Sequence, residues 1–398
     1  MSAGQPNTLQ EAVTAAERLV EEAGRDRRSP WLELEQIAER LPLAVDRAMG
    51  ESGLWAPELA ARAIRQAQGD PLEAAQLIRA HRSTLPRLGR GLPVSTDELR
   101  VTRRISSAFR NPPGGQVLGR TLDYVGRLLD LLPEDEGRSR VSGSTAAGGA
   151  NGHDHSGHQH LHEQPRQQAR QGSEEHTHGL GTPVSAPAAS VERTPANLLS
   201  VLRGMDVVRP VGAAADPAPY DVTRTPARSD APRSAWLQTM ARADTGSLMH
   251  MWYGNSLRSG GHEIPGEVRH GTLSLSVPHP YTGQPVAVTR VRVSEVQTFH
   301  SVARAGELAR TLDVGYGLCL GHNDRKAISM AGLDLLLVHH EPDSAIHREV
   351  LFTLDGMDST GYARHLKLPH HAEFRSLVER ARAVTAVRNG AIEDGDKE

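Results

Sequence analysis

The spacing of apolar and polar positions divides the chain into three stretches. Up to about residue 133 apolar residues recur every three or four positions, the period of an amphipathic helix. Ala15, Leu19 and Val20 begin one stripe, and Leu32, Leu34, Ile37, Leu41, Val45 and Met49 form a longer one. Leu59, Ala63 and Ala67 continue the pattern to Gly69, after which Asp70 and Pro71 read as the N-cap and first position of a new helix. Thr96 is expected to open another through Leu99, Ile105 and Phe109, stopped at Asn111-Pro112-Pro113-Gly114-Gly115. A last helix through Leu118, Leu122, Val125, Leu128 and Leu129 is expected to end at Pro133.

The middle stretch, 136–193, is dominated by Gly, Ser, Ala, Gln, Pro and His. Such a composition buries too little apolar surface to offset its ordering entropy, which predicts a disordered linker. Beyond it, Leu198, Leu199 and Leu202 mark a short helix, and 236–257 reads helical again. The period then switches to two. Residues 272–277 and 286–293 alternate around a turn at 278–285, a long hairpin. Gly317-Leu318-Cys319-Leu320 and Val350-Leu351-Phe352-Thr353-Leu354 are strand candidates, with a helix from Arg325 to Leu337 capped by Asn323 or Asp324. Phe374, Leu377, Val378, Ala381 and Val384 share one face of a final helix. The fold class expected is α+β: a helical domain at 1–135, the linker at 136–193, a mixed domain at 194–388 and a charged tail at 389–398.

Composition narrows the function. The chain has 398 residues, 38% hydrophobic and 4% aromatic, as an Ala- and Leu-rich helical part with an unpacked linker would give. A net charge of −3 argues against a general nucleic-acid or membrane-surface binder. A single cysteine, Cys319, excludes a disulfide framework and an all-cysteine zinc site within one chain. No run approaches the roughly 18 apolar residues of a membrane span, and the N-terminus lacks a basic segment followed by an apolar one. A soluble cytoplasmic protein is expected.

Several groups of residues carry candidate chemistry. His153, His155, His158, His160, His162, His176 and His178 cluster in the linker, where neutral imidazoles bind metal incidentally but lack a rigid frame. His365 and His370 lie five apart, off the four-residue spacing of ligands on one helical face. Pro369 between them favours an extended piece turning into a helix, which could aim both rings at one metal; the alternative is two surface histidines. Gly315, Gly317 and Gly321 read GxGxxxG, one residue off the dinucleotide fingerprint and placed ahead of the strand, so no Rossmann site is supported. What survives is an anion site at a helix start bearing Arg325 and Lys326. Arg103 and Arg104, upstream of the Gly114-Gly115 turn, form a second candidate phosphate contact. Asp46, Asp123 and Glu267 are candidate acids, each with a structural ion pair as its alternative.

At these residues the chain resembles the I subunit of the bacterial carbon–phosphorus lyase system. Leu43-Ala44-Val45-Asp46-Arg47, Arg103-Arg104-Ile105-Ser106, Pro113-Gly114-Gly115-Gln116 and Val222-Thr223-Arg224-Thr225-Pro226 carry the likeness. Gly315-Tyr316-Gly317-Leu318, Asp324-Arg325-Lys326-Ala327 and His365-Leu366-Lys367-Leu368-Pro369-His370 continue it, collinear from about residue 10 to 385. The resemblance implies a cytoplasmic assembly with G, H and J subunits, two copies of each. It implies that ATP loses its purine to an alkylphosphonate, giving α-D-ribose 1-methylphosphonate 5-triphosphate, before the radical S-adenosylmethionine J subunit cleaves the carbon–phosphorus bond. Alone, such a chain is implied to act as a purine nucleosidase. Zinc on the two histidines of the last block, His365 and His370 here, is likewise implied, towards the J subunit. The other reading is a scaffold whose surfaces and metal complete a site owned by its partners.

Overall fold

The computed structural model describes residues 8–25, 29–123, 128–143, 197–208, 220–259, 263–301 and 311–395. The linker histidines lie outside the described residues. Met1–Arg120 with Thr194–Glu398 form one compact unit, and Thr121–Arg193 a second. In the second, helix Glu134–Gly143 is the described regular element, with an acidic first turn that suits its dipole.

The larger unit combines helices with a four-stranded antiparallel sheet in simple sequential order, the α+β architecture. Helix α1 (Leu9–Arg25) buries none of its residues. Helices α2 (Leu34–Arg40), α3 (Pro42–Ser52), α4 (Pro57–Gln66) and α5 (Pro71–Ser83) pack around Ile37, Val45, Met49, Ile64 and Ile78. The long stripe is cut at Leu41, because Pro42 cannot continue α2 and instead starts α3. Asp70 caps α5 by accepting from the amides of Leu72 and Glu73.

Strands β1 (Arg100–Ile105), β2 (Ile264–Pro278), β3 (Pro285–Ser301) and β4 (Leu312–Leu320) make the sheet, with α6 (Leu198–Gly204), α7 (Arg233–Arg242) and α8 (Thr245–Ser259) between β1 and β2. The expected hairpin is real and longer than its alternating core. After β4, α9 (Asp324–His339) starts at Asn323, whose side chain accepts from the Lys326 amide, and α10 (Ala345–Phe352), α11 (Gly356–His365) and α12 (His371–Gly395) follow.

Helix α9 is buried on most of its circumference and is the centre of the main core, with Met240, Leu248, Val296, Cys319, Met330 and Leu333. Burying each such side chain contributes about 1.5–3 kcal/mol. The glycines of the Gly-Tyr-Gly run explain how closely it lies on β4. A Cβ at Gly315 would sit 2.0 Å from the Ala331 carbonyl oxygen, and one at Gly317 would sit 2.1 Å from that of Ala327. The free edge of β4 is sealed by an ion pair: Arg233 donates to Asp334 and to the Val314 carbonyl, while Asp334 accepts from the Tyr316 amide at 2.8 Å.

Three expected elements differ. Thr96–Glu98 is one 3-10 turn, and Arg100–Ile105 is strand β1, because its branched residues pair with β2. The stretch expected as a helix through Leu118–Leu129 is not helical in its described residues; Val117 bridges to Arg104, and Leu122, Leu128 and Leu129 are exposed. The strand expected at Val350–Leu354 is the end of α10, whose Ile346, Val350 and Leu351 are buried at helical spacing. A short apolar run does not separate strand from buried helix. Helix α12 exists, but Phe374, Leu377 and Val384 are exposed rather than packed.

Candidate functional site

The sheet register lines up one row of side chains. Arg103 on β1 pairs with His270 on β2, His270 with Ser294 on β3, and Ser294 with Cys319 on β4. Successive strand residues point to opposite faces, so this row lies under the N-terminal turn of α9. That turn brings His322, Asn323 and Asp324 over the row.

The contacts are tight. Arg103 donates to Asp324 Oδ2 at 2.6 Å and approaches His322 Nε2 at 3.4 Å. His322 Nε2 is 3.7 Å from the same carboxylate oxygen. The His270 and His322 rings stack with centroids 4.2 Å apart. Ser294 Oγ lies 3.3 Å from His270 Nδ1, donates to the Gly321 carbonyl and accepts from the Asn323 amide. Asp46 enters from α3: one oxygen accepts from the His322 amide at 2.9 Å, the other from Arg292 at 2.5 Å. Gly321 permits that approach, since its φ is 79° and a Cβ there would lie 2.6 Å from Asp46 Cβ.

Burial and neighbours set the charges. Burial, and then the neighbouring His322, push His270 down to about 4, so its imidazole is neutral at pH 7. Burial would raise Asp324, but its bond to His322 and the charge of Arg103 outweigh that and hold it below the usual carboxylate range. Asp324 Oδ1 is buried without a hydrogen-bond partner. The arrangement therefore offers two carboxylates, two imidazoles and two guanidiniums around one row across the sheet. His322 and Asp324 remain partly open to solvent, at 23% and 18% side-chain exposure.

The other candidates separate clearly. Arg104 points to the opposite face from Arg103, is fully buried, and binds Glu267 together with the Pro113 and Gly115 carbonyls. Glu267 also accepts from the Leu198 amide, so this pair ties the Gly114-Gly115 turn and α6 to the sheet. Gly114 and Gly115 both adopt positive φ, which the turn requires. Lys326 is fully buried and donates to the Ala243 carbonyl at 2.8 Å, so its ammonium anchors α9 to the end of α7. Arg325 is exposed beside it. Asp123 is exposed in the second unit, its amide bonded to Thr121 Oγ1. His365 ends α11 and His370 immediately precedes α12; their rings lie edge to face, centroids 5.2 Å apart. Cys319 is buried, and burial pushes its thiol up to about 12. A cavity of about 450 Å³ on the opposite sheet face is lined by Thr96, Asn197, Arg233, Gln297 and Tyr316. Its Arg233 and Tyr316 are bound to Asp334 and Glu295, which leaves little free chemistry there.

Sequence reasoning missed His270, Ser294, Arg292 and His322. They come from three places in the chain and meet only through strand register and the start of the helix that follows β4. The signal available was local: His322-Asn323-Asp324 at a strand-to-helix junction.

The family of bacterial phosphonate metabolism proteins (PhnI) matches residues 7–388. The chain belongs to that family. It is 38% identical to the Stutzerimonas stutzeri protein named "Putative C-P lyase subunit protein HtxH", over 88% of this chain and 87% of that one. It is also similar to two proteins named alpha-D-ribose 1-methylphosphonate 5-triphosphate synthase subunit PhnI. That of Rhizobium meliloti (strain 1021) is 32% identical over 97% of this chain and 96% of its own. That of Escherichia coli (strain K12) is 31% identical over 93% and 94%. The family blocks include Asp46, Arg103 and Asp324, which the fold brings together in the cluster described above. No helix among the described residues is long and apolar enough to cross a membrane.

Proposed function

We propose that this chain is the transferase subunit that displaces the purine of ATP by an alkylphosphonate, in a cytoplasmic assembly with G, H and J subunits, two copies of each. The observation that carries the reading is the Arg103–Asp324–His322–His270 cluster, whose Arg103 and Asp324 lie in the blocks that carry the resemblance, in a chain matched by the family from 7 to 388. In the reaction a phosphonate oxygen bonds to C1′ of the ribose, the C1′–N9 bond breaks, and adenine leaves with a proton. The ionised Asp324 carboxylate suits the positive charge that develops on the ribose. His322, beside it, is placed to give the proton to the departing base. Arg103 and Arg292 supply positive charge for the anionic phosphonate.

Zinc has a place in this reading at His365 and His370. The Nδ1 of His370 is 2.5 Å from the Leu368 carbonyl oxygen, which sets its tautomer and leaves Nε2 as the ligand atom. Among the described residues no third His, Cys, Asp or Glu joins them, so further ligands would come from a partner subunit or substrate oxygens. Bound there, zinc would act as a Lewis acid at the subunit boundary.

The test is adenine release from ATP and methylphosphonate by the complex co-expressed with its G, H and J subunits. His322→Asn and Asp324→Asn are each expected to slow release by about 100-fold or more. Parental rates in both variants would refute the assigned roles. Adenine release by the chain alone would distinguish a catalytic subunit from a scaffold.

A further inference from the structure

We propose that Arg82 and Arg242 form a binding site for a phosphate chain, the triphosphate end of a nucleotide or an inorganic polyphosphate. Arg82 lies in the last turn of α5, and Arg242 is the last residue of α7. Both side chains converge over Gly53, the left-handed residue that ends α3. A Cβ placed there would lie 3.2 Å from an Arg82 terminal nitrogen and 3.4 Å from Arg242 Cγ.

Neither guanidinium is neutralised by a bonded acid. Arg82 has one hydrogen bond, to the Ser52 carbonyl at 3.2 Å. Arg242 Nε is buried without a hydrogen-bond partner. Two further guanidiniums crowd them. Arg79 is committed to Asp355 at 2.6 Å and to the Glu51 and Arg242 carbonyls; Arg87 is committed to Asp221. Asp358 is the remaining nearby acid and bonds to neither arginine. Burial first, then the charges of Arg87 and Arg79, lower the pKa of Arg82; burial first, then the charges of Arg79 and Arg82, lower that of Arg242.

Like charges held together at half-buried positions destabilise the fold unless something outside the chain offsets them. A phosphate chain does so well, because a guanidinium fork bonds two phosphate oxygens at once and extended anions engage two forks. Arg79 holds the frame: its bonds fasten the end of α3 to the end of α7 and so fix the separation of the two forks. The same end of α7 receives Lys326, and Thr245 just beyond it bonds Asn323, so the arginines share a scaffold with the His322–Asp324 cluster. The natural ligand rests on the proposed transferase reading, whereas the anion chemistry does not.

The experiment is isothermal titration of the full chain with tripolyphosphate, inorganic phosphate and ATP. Tripolyphosphate and ATP are expected to bind, more tightly than phosphate, with affinity falling as salt rises. Arg82→Gln and Arg242→Gln are each expected to weaken tripolyphosphate at least about tenfold, the loss of one charge-assisted pair. His322→Asn should leave tripolyphosphate binding unchanged while slowing adenine release by about 100-fold or more, which separates this site from the chemistry. Arg82→Lys checks folding and charge, and it should recover only part of the affinity. Parental affinity in both Gln variants, or no tripolyphosphate binding by the parent, would overturn the proposal. So would a loss of thermal stability in those variants with unchanged affinity, which is what a purely structural role at the helix ends would give. Equal affinity for phosphate and tripolyphosphate would overturn the assignment to a phosphate chain.

Discussion

Gly317→Ala places a methyl carbon 2.1 Å from the Ala327 carbonyl oxygen and 2.9 Å from Met330 Cβ. Ordinary contact needs about 3.5 Å, so α9 would have to recede from β4 by about 1.4 Å. Both neighbours are rigid, one a helix backbone atom and the other the root of a buried side chain. Overpacking of this kind costs about 1–3 kcal/mol, and the lower unfolded-state entropy of alanine returns about 0.5–1 kcal/mol. With both neighbours rigid the upper end of that range applies, so a net loss of about 2 kcal/mol follows, equivalent to a fall in Tm of about 3 °C for a unit of more than 300 residues. The assay is thermal unfolding of the variant beside Gly24→Ala, where a Cβ meets nothing within 4 Å. That control should be neutral or slightly stabilising, since α1 gains helix propensity. Because α9 carries Asp324, Gly317→Ala should also slow adenine release in the assembled complex. A Tm within about 1 °C of the parent would show that the strand and helix are not packed at this distance, and the account of the Gly-Tyr-Gly run would fall.

Two further outcomes are expected. His270 is buried as the neutral imidazole with its pKa lowered from 6.5 to about 4, so the unfolded chain takes up the proton first. Its contribution to stability is therefore complete above about pH 6.5 and lost as pH falls towards 4, by up to about 3 kcal/mol. Urea midpoints for the parent and His270→Gln should converge over that window, and parallel pH profiles would refute the burial argument. For the metal, His365→Ala and His370→Ala should each lose one zinc per chain relative to the parent complex, by elemental analysis. The linker histidines are common to all three proteins, and an unchanged count would sink the assignment.

Much of the architecture was legible because local chemistry and burial agreed. Asp70-Pro71 starts α5, Asn323 caps α9, and the alternation at 272–293 is a hairpin. It failed where tertiary pairing overrode the local pattern. Residues 100–105 carry apolar spacing that also fits a helix, but β2 offers them an edge to join. The leucines from 118 to 129 have helical spacing but no partner surface among the described residues, and spacing alone does not make a helix.

The candidate site divides in the same way. Asp46, Arg103 and Asp324 belong to recognisable sequence blocks, yet the blocks do not say that Arg103 and Arg104 part company. Strand geometry sends one to the His322–Asp324 cluster and the other to Glu267 and the glycine turn. Lys326 looks like a free cation beside Arg325 until the helix is packed, when its ammonium is inside, against the Ala243 carbonyl. Sequence alone determined the family, the helix caps, the hairpin and the glycines that let α9 approach β4. Tertiary structure alone decided which charges gather at one place and which are spent inside the fold. Helix caps and turns depend on groups a few residues apart, whereas the row from Arg103 to Cys319 is assembled by hydrogen-bond register between residues as much as 167 apart in sequence, as Arg103 and His270 are.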